Sequence, residues 1–204
     1  MSIFKRSAIP STMLALAVVS ALILLAIPPE ATLGSAIRPV FLHGALVQTG
    51  LVTFAAAGVA GAIALVVARE RAYRISTSGQ VTATLVWIAY IVSSMVATYI
   101  AWGVAIAWYE PRVQASAKVL GASLLCLLLC RVIRDPRLSA VANGALAVLA
   151  WVLVKGTSVL QHPLDPIGTS ASLTYRALFA ALWLVLVLLT VQGWRALTKP
   201  AELQ

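Results

Sequence analysis

Only two residues of the 204 are histidines, His43 and His162, and each opens or precedes a long apolar run. An imidazole nitrogen is an ordinary axial ligand for haem iron, and two imidazoles close both faces of the porphyrin. Between them in sequence lies Trp102-Gly103-Val104-Ala105-Ile106-Ala107-Trp108-Tyr109-Glu110-Pro111-Arg112. Trp102, Trp108 and Tyr109 offer flat faces to a planar macrocycle, while Arg112, Arg38 or Arg176 offers charge-assisted bonds to its propionates. Glu110 has a second use, pairing with Arg112 to fix the segment. Each residue also has a plainer reading. A lone histidine in an apolar chain is commonly a packing or interfacial residue. Tryptophan and tyrosine ahead of a helix-stopping proline form an interfacial belt.

The segment Gln161-His162-Pro163-Leu164-Asp165-Pro166-Ile167-Gly168 has two prolines and a glycine, so it reads as a stiff, turn-rich connection. Such a segment either holds a ligand still or is a short hairpin. Cys126 and Cys130 stand one helical turn apart inside an apolar run. They lack the C-x-x-C spacing, imply no disulfide framework, and read as packing thiols.

The elements that must position these residues follow from composition. Hydrophobic residues make up 61% of the chain and charged residues 10%, with a mean hydropathy of +0.97. A soluble domain carries about 25% charged residues, so soluble, disordered, coiled-coil and disulfide-scaffold classes are excluded. The chain is a polytopic membrane protein. Its net charge of +9 is not a nucleic-acid signal, because the basic residues fall between apolar runs.

Spanning about 30 Å of hydrocarbon takes about 20 helical residues. Six runs, 11–27, 43–68, 81–107, 113–130, 138–154 and 173–194, predict an all-α bundle of six transmembrane helices forming a single domain over 1–204. They are continuous and rich in Ala and Leu, without the alternation of a barrel strand. The first reads as a retained span, since no small-x-small cleavage site precedes Pro28-Pro29-Glu30. Gly58, Gly61, Gly121 and Gly144 read as positions of close helix packing. Lys5, Arg6, Arg69, Arg71, Arg74, Arg131, Arg134, Arg137, Arg195 and Lys199 fall on one side, against Arg38, Arg112, Lys118, Lys155 and Arg176 on the other. The positive-inside rule then puts both termini in the cytoplasm and the segments around 28–42, 104–117 and 155–172 outside.

In this arrangement the chain resembles the CcmC-like haem-handling proteins of c-type cytochrome maturation, within the tryptophan-rich "WWD" superfamily. Gly34-Ser35-Ala36-Ile37-Arg38-Pro39-Val40-Phe41-Leu42-His43 is similar to the family's lead into its first histidine. Trp108-Tyr109-Glu110-Pro111-Arg112-Val113 is similar to the end of the tryptophan-rich motif, and the spacing of His43 and His162 suits the family's histidine pair. The chain departs from the family in having Glu110 where an aspartate stands, Ala105-Ile106-Ala107 within the motif, and Lys155-Gly156-Thr157-Ser158 before the second histidine.

The resemblance implies a bacterial-type inner-membrane protein that holds haem b non-covalently at the outer face, with His43 and His162 as axial ligands. It implies handover to a periplasmic haem chaperone like CcmE, alongside ATP-binding-cassette subunits like CcmA and CcmB and a small helical protein like CcmD. The chain has no G-x-x-x-x-G-K-[ST] loop, so ATP use falls to a partner. It makes no covalent bond itself in this reading, which is haem transfer rather than enzyme catalysis. Two other classes stay open from the residues: a haem-free structural subunit of a membrane complex, and a single-haem b-type electron-transfer subunit. A transporter is disfavoured because no acidic residue sits at the centre of a predicted span.

Overall fold

The computed structural model describes residues 3–158, 160 and 167–199, with side chains from residue 8 onward. Six helices follow in order: α1 (Ile3–Ala26), α2 (Ile37–Val67), α3 (Glu70–Trp102), α4 (Pro111–Ile133), α5 (Pro136–Lys155) and α6 (Leu173–Thr198). Each contains a stretch long and apolar enough to cross a membrane. There is no strand among the described residues.

The third helix departs most from the sequence expectation. It begins at Glu70 rather than near Val81, because Ala68 adopts a left-handed conformation (φ 51°) and turns the chain at once from α2 into α3. The polar run Ser76-Thr77-Ser78-Gly79-Gln80, which reads as a connection, is helical. The hydroxyl of Ser78 donates back to the Arg74 carbonyl at 2.8 Å, and Ser76 and Gln80 are buried against other helices. At its far end α3 stops at Trp102 rather than Ala107. Gly103 there takes φ 74° and donates its N–H to the Tyr99 carbonyl, a left-handed C-terminal cap.

Helices α2 and α3 form the centre. α2 packs most extensively on α3 and then on α5, while α1 lies mainly on α6. Phe41, Phe54, Trp87, Leu51, Val119 and Leu182 are the large apolar residues of the interior. In a bilayer, lipid is as apolar as leucine, so close packing and interhelical hydrogen bonds hold helices together. Both are present. The Asn143 amide donates to the Ser76 hydroxyl (2.6 Å) and carbonyl (3.1 Å), Thr84 and Ser123 share a bond at 2.5 Å, and Trp151 donates to the Leu51 carbonyl at 3.1 Å.

Gly58 and Gly61 are positions of close approach. A Cβ on Gly61 would stand 2.6 Å from the Ala140 carbonyl oxygen, and one on Gly58 would stand 2.8 Å from the Ala147 Cβ. Gly144 lies opposite Gly58, though its own Cβ direction is open. Gly121 corrects the sequence expectation: it is exposed, and a Cβ there would meet nothing within 4 Å.

Hydrogen bonds gather the connections into two ends. At one end Trp194 donates to the Ile75 carbonyl (2.8 Å), Ser78 bonds Thr198 (2.6 Å) and Thr77 bonds Ser139 (3.2 Å). This basic end carries Arg71, Arg74, Arg195 and Lys199, and the two-residue corner Arg134–Asp135 between α4 and α5. At the far end Arg38 donates to the Leu25 (3.0 Å) and Ile27 (3.3 Å) carbonyls, and Tyr175 donates to the Pro28 and Pro29 carbonyls at 3.3 Å each. Arg112 donates there to the Val154 carbonyl at 3.4 Å. The described connections thus fall at two ends of the bundle, with Arg71, Arg74, Arg195 and Lys199 together at one of them.

Candidate functional site

His43 lies in the second turn of α2, since the helix starts at Ile37, and is half-buried. Its ring stacks on Tyr90 of α3, with centroids 5.0 Å apart and planes inclined by 26°. Tyr90 in turn packs on Trp87 at 4.7 Å, so the imidazole ends an aromatic stack rising from the interior. The Tyr90 hydroxyl bonds the Ser116 hydroxyl at 2.8 Å, and Ser116 bonds the Arg112 carbonyl at 2.8 Å. The Trp87 indole also donates to the Ser116 carbonyl, at 3.0 Å. His43 is thereby linked through Tyr90 and Ser116 to Arg112 in the first turn of α4.

The aromatic segment between α3 and α4 is irregular, because Gly103 ends one helix and Pro111 starts the next. Ala107 is fully buried and its carbonyl accepts the Glu110 N–H at 2.9 Å, which pins the segment down. Trp102, Trp108 and Tyr109 are exposed at their sides. Ala105, Ile106 and Trp108 close a small cavity of about 90 Å³ with Tyr90, Ser94 and Ser116.

Glu110 is buried at the N-cap of α4, and both its carboxylate oxygens accept the Leu160 N–H, each at 3.2 Å. Arg112 is half-buried; its Nε is enclosed and has no hydrogen-bond partner among the described residues. Arg38 spends its guanidinium on the last carbonyls of α1, which the helix leaves without intrahelical partners. His162 lies outside the described residues, but both flanks of the 161–166 segment are described. Leu160 is held by Glu110, and Ile167 is buried. A Cβ on Gly44, the neighbour of His43, would stand 4.0 Å from the Ile167 side chain.

Tyr90 and Ser116, which residue type and spacing do not single out, are what joins the predicted site residues. Their signal is a polar group inside an apolar span, but this chain has many such hydroxyls and only the fold picks these two out. Among the described residues no group of three or more His, Cys, Asp or Glu side chains is arranged to hold a metal ion. Cys126 and Cys130 are free thiols.

Between α1 and α2, Glu30 accepts the backbone N–H groups of Thr32 and Leu33, both at 2.8 Å. Those bonds hold its carboxyl below the ordinary carboxylate value, the Leu33 bond being the larger cause. No protein-family model matches this chain, and no curated protein matches it.

Proposed function

We propose that this chain is a haem-handling membrane protein that presents haem b at the far end of the bundle for transfer to another protein. The observation that carries the reading is the pinning of both flanks of the 161–166 segment beside the His43 cluster, Leu160 on Glu110 and Ile167 near Gly44. That segment contains His162, the only other imidazole in the chain. Haem supplies an iron centre with two axial positions that accept imidazole, and His43 and His162 are the ligands proposed for it.

The remaining residues suit such a group. Arg112 is half-buried at this end and has guanidinium N–H donors beyond the one bonded to the Val154 carbonyl, which suit a propionate. Trp108 and Tyr109 expose aromatic surface at the same end. The internal cavity of about 90 Å³ is far below the roughly 300 Å³ at which small-molecule pockets begin. Haem in this reading therefore lies against the exposed aromatic face, as a molecule to be handed on would. Arg38, already bonded to α1, is a structural support in this proposal and leaves the propionate to Arg112.

By the positive-inside rule the basic end faces the cytoplasm and the haem face the outside of a bacterial-type inner membrane. The similarity to CcmC-like proteins supports a periplasmic chaperone like CcmE as recipient, and partners like CcmA, CcmB and CcmD. A haem-free structural subunit is the second reading. It is favoured by the bonds of Arg38 to the end of α1 and of Glu110 to the Leu160 N–H, which tie parts of the bundle together.

The test is the visible spectrum of the detergent-solubilised protein, with haem added, beside His43→Ala and His162→Ala. A Soret band in the wild type that shifts or disappears in each variant is the expected result. A wild type that stays colourless ends the haem reading and leaves the structural one.

A further inference from the structure

A second feature lies at the opposite end of the bundle. Between the first turns of α3 and the last turns of α6 is a recess of about 610 Å³, well within the size of small-molecule sites. Arg71 and Arg74 from α3, Arg195 from α6 and Lys199 just past the end of α6 converge on it. Glu70, 4.0 Å from Arg74, is the one carboxylate ion-paired with these four cations among the described residues. The recess wall is apolar on its membrane side, made by Ile75, Val191 and Trp194.

That wall is firmly set. The Trp194 indole donates to the Ile75 carbonyl at 2.8 Å and lies over Gly79, where a Cβ would come within 2.4 Å of its ring. Thr198 bonds both the Ser78 hydroxyl and the Trp194 carbonyl. The recess is thus a fixed gap between two helices with an excess of positive charge at its mouth.

We infer that this recess is a binding site for the phosphate headgroup of an anionic phospholipid, with the acyl chains running along Val191 and Ile75. The shape separates it from a general basic belt. Two helices bring their cations to one gap, arginines bind phosphate oxygens bidentately, and the gap opens onto apolar surface at a span end, where headgroups lie. None of its residues belongs to the proposed haem face, so the two sites stand or fall separately.

The experiment uses the full chain in neutral detergent and counts bound lipid by native mass spectrometry during titration with phosphatidylglycerol or phosphatidylcholine. A parallel arm adds inorganic phosphate at matched ionic strength. Phosphatidylglycerol is expected to bind in preference to phosphatidylcholine and to be retained in the presence of phosphate. Removing two cations, as in Arg74→Gln/Arg195→Gln, is expected to weaken it about thirty-fold. Arg71→Gln/Lys199→Gln is expected to act the same way, which covers failure of the first pair to fold. Arg134→Gln/Arg137→Gln, with equal charge loss at the α4–α5 corner, is expected to leave binding intact. Equal binding of the two lipids, displacement by free phosphate, or equal loss in the corner variant would each overturn the assignment.

Discussion

Glu110 holds the backbone N–H of Leu160 between its two carboxylate oxygens, 3.2 Å from each, across 50 residues of sequence. A buried carboxylate at the start of α4 therefore ties down the connection between α5 and α6. Hydrogen bonds to charged groups contribute about 1.5–3 kcal/mol. Glu110→Ala is expected to raise amide exchange at Leu160 between about ten- and hundred-fold. Glu110→Gln keeps one acceptor oxygen and should fall between. Exchange measured by mass spectrometry on peptides covering 156–170 checks this, and unchanged protection in Glu110→Ala would rule out the tether.

Tyr90 does two things that substitutions can separate. Tyr90→Phe keeps the stack on His43 and loses the bond to Ser116, a cost of about 1 kcal/mol. Tyr90→Leu loses both. On the haem reading, Tyr90→Phe should leave the Soret band close to wild type, and Tyr90→Leu should shift it or weaken haem affinity. Equal spectra for the two would mean that the stack does not orient His43.

The α2–α5 contact depends on two absent side chains. Gly61→Ala drives a methyl into the Ala140 carbonyl, which belongs to backbone and has little room to give. A loss of about 1–3 kcal/mol is expected, read as a lower unfolding temperature in detergent. Gly121→Ala is the matched control: its Cβ meets nothing, and better helix propensity should leave stability unchanged or raise it by up to about 1 kcal/mol.

Gln80 is almost wholly buried, and neither its amide nitrogen nor its amide oxygen has a hydrogen-bond partner among the described residues. Gln80→Leu removes both unsatisfied groups at similar size and is expected to stabilise the fold by about 1 kcal/mol or more. A fall in unfolding temperature would show instead that the amide is solvated by a buried water worth keeping.

Glu30 gives the connection between α1 and α2 a pH dependence of known sign. Its folded-state pKa is depressed by the Leu33 and Thr32 N–H bonds. The stability it contributes is present above the ordinary carboxylate value of 4.5 and is lost as pH falls through the lower folded value. Protection factors of the Thr32 and Leu33 amides, with the intrinsic pH dependence of exchange divided out, should fall as pH drops through that acid range in the wild type and stay flat in Glu30→Gln. Identical profiles would remove Glu30 as the cause.

Hydropathy made the six spans legible, because an uninterrupted apolar run of some 20 residues is the length a helix needs to cross hydrocarbon. It misjudged residues 70–80, where buried serines and a glutamine look like a loop until α5 and α6 are seen packed against them. It also ran α3 past Gly103, whose left-handed cap is invisible in a run that stays apolar to Ala107. At the site, residue type singled out His43 and Arg112. The link between them could not be read, since Tyr90 and Ser116 lie on different helices and meet only through the fold. Gly121 shows the opposite limit: a glycine in a span is a packing position only if a neighbour is there.

The two-residue corners at the basic end have a consequence for how such a chain can change over generations. Ala68–Arg69 and Arg134–Asp135 join their helices with no slack, and Ala68 and Arg134 both take left-handed backbone there. An inserted residue at either corner would rotate or displace a whole helix. The connections at the other end, 27–36, 103–110 and 156–172, have length to spare. Insertions are therefore expected to be borne by the longer connections and not by the two corners, which fix how the helices are set against one another.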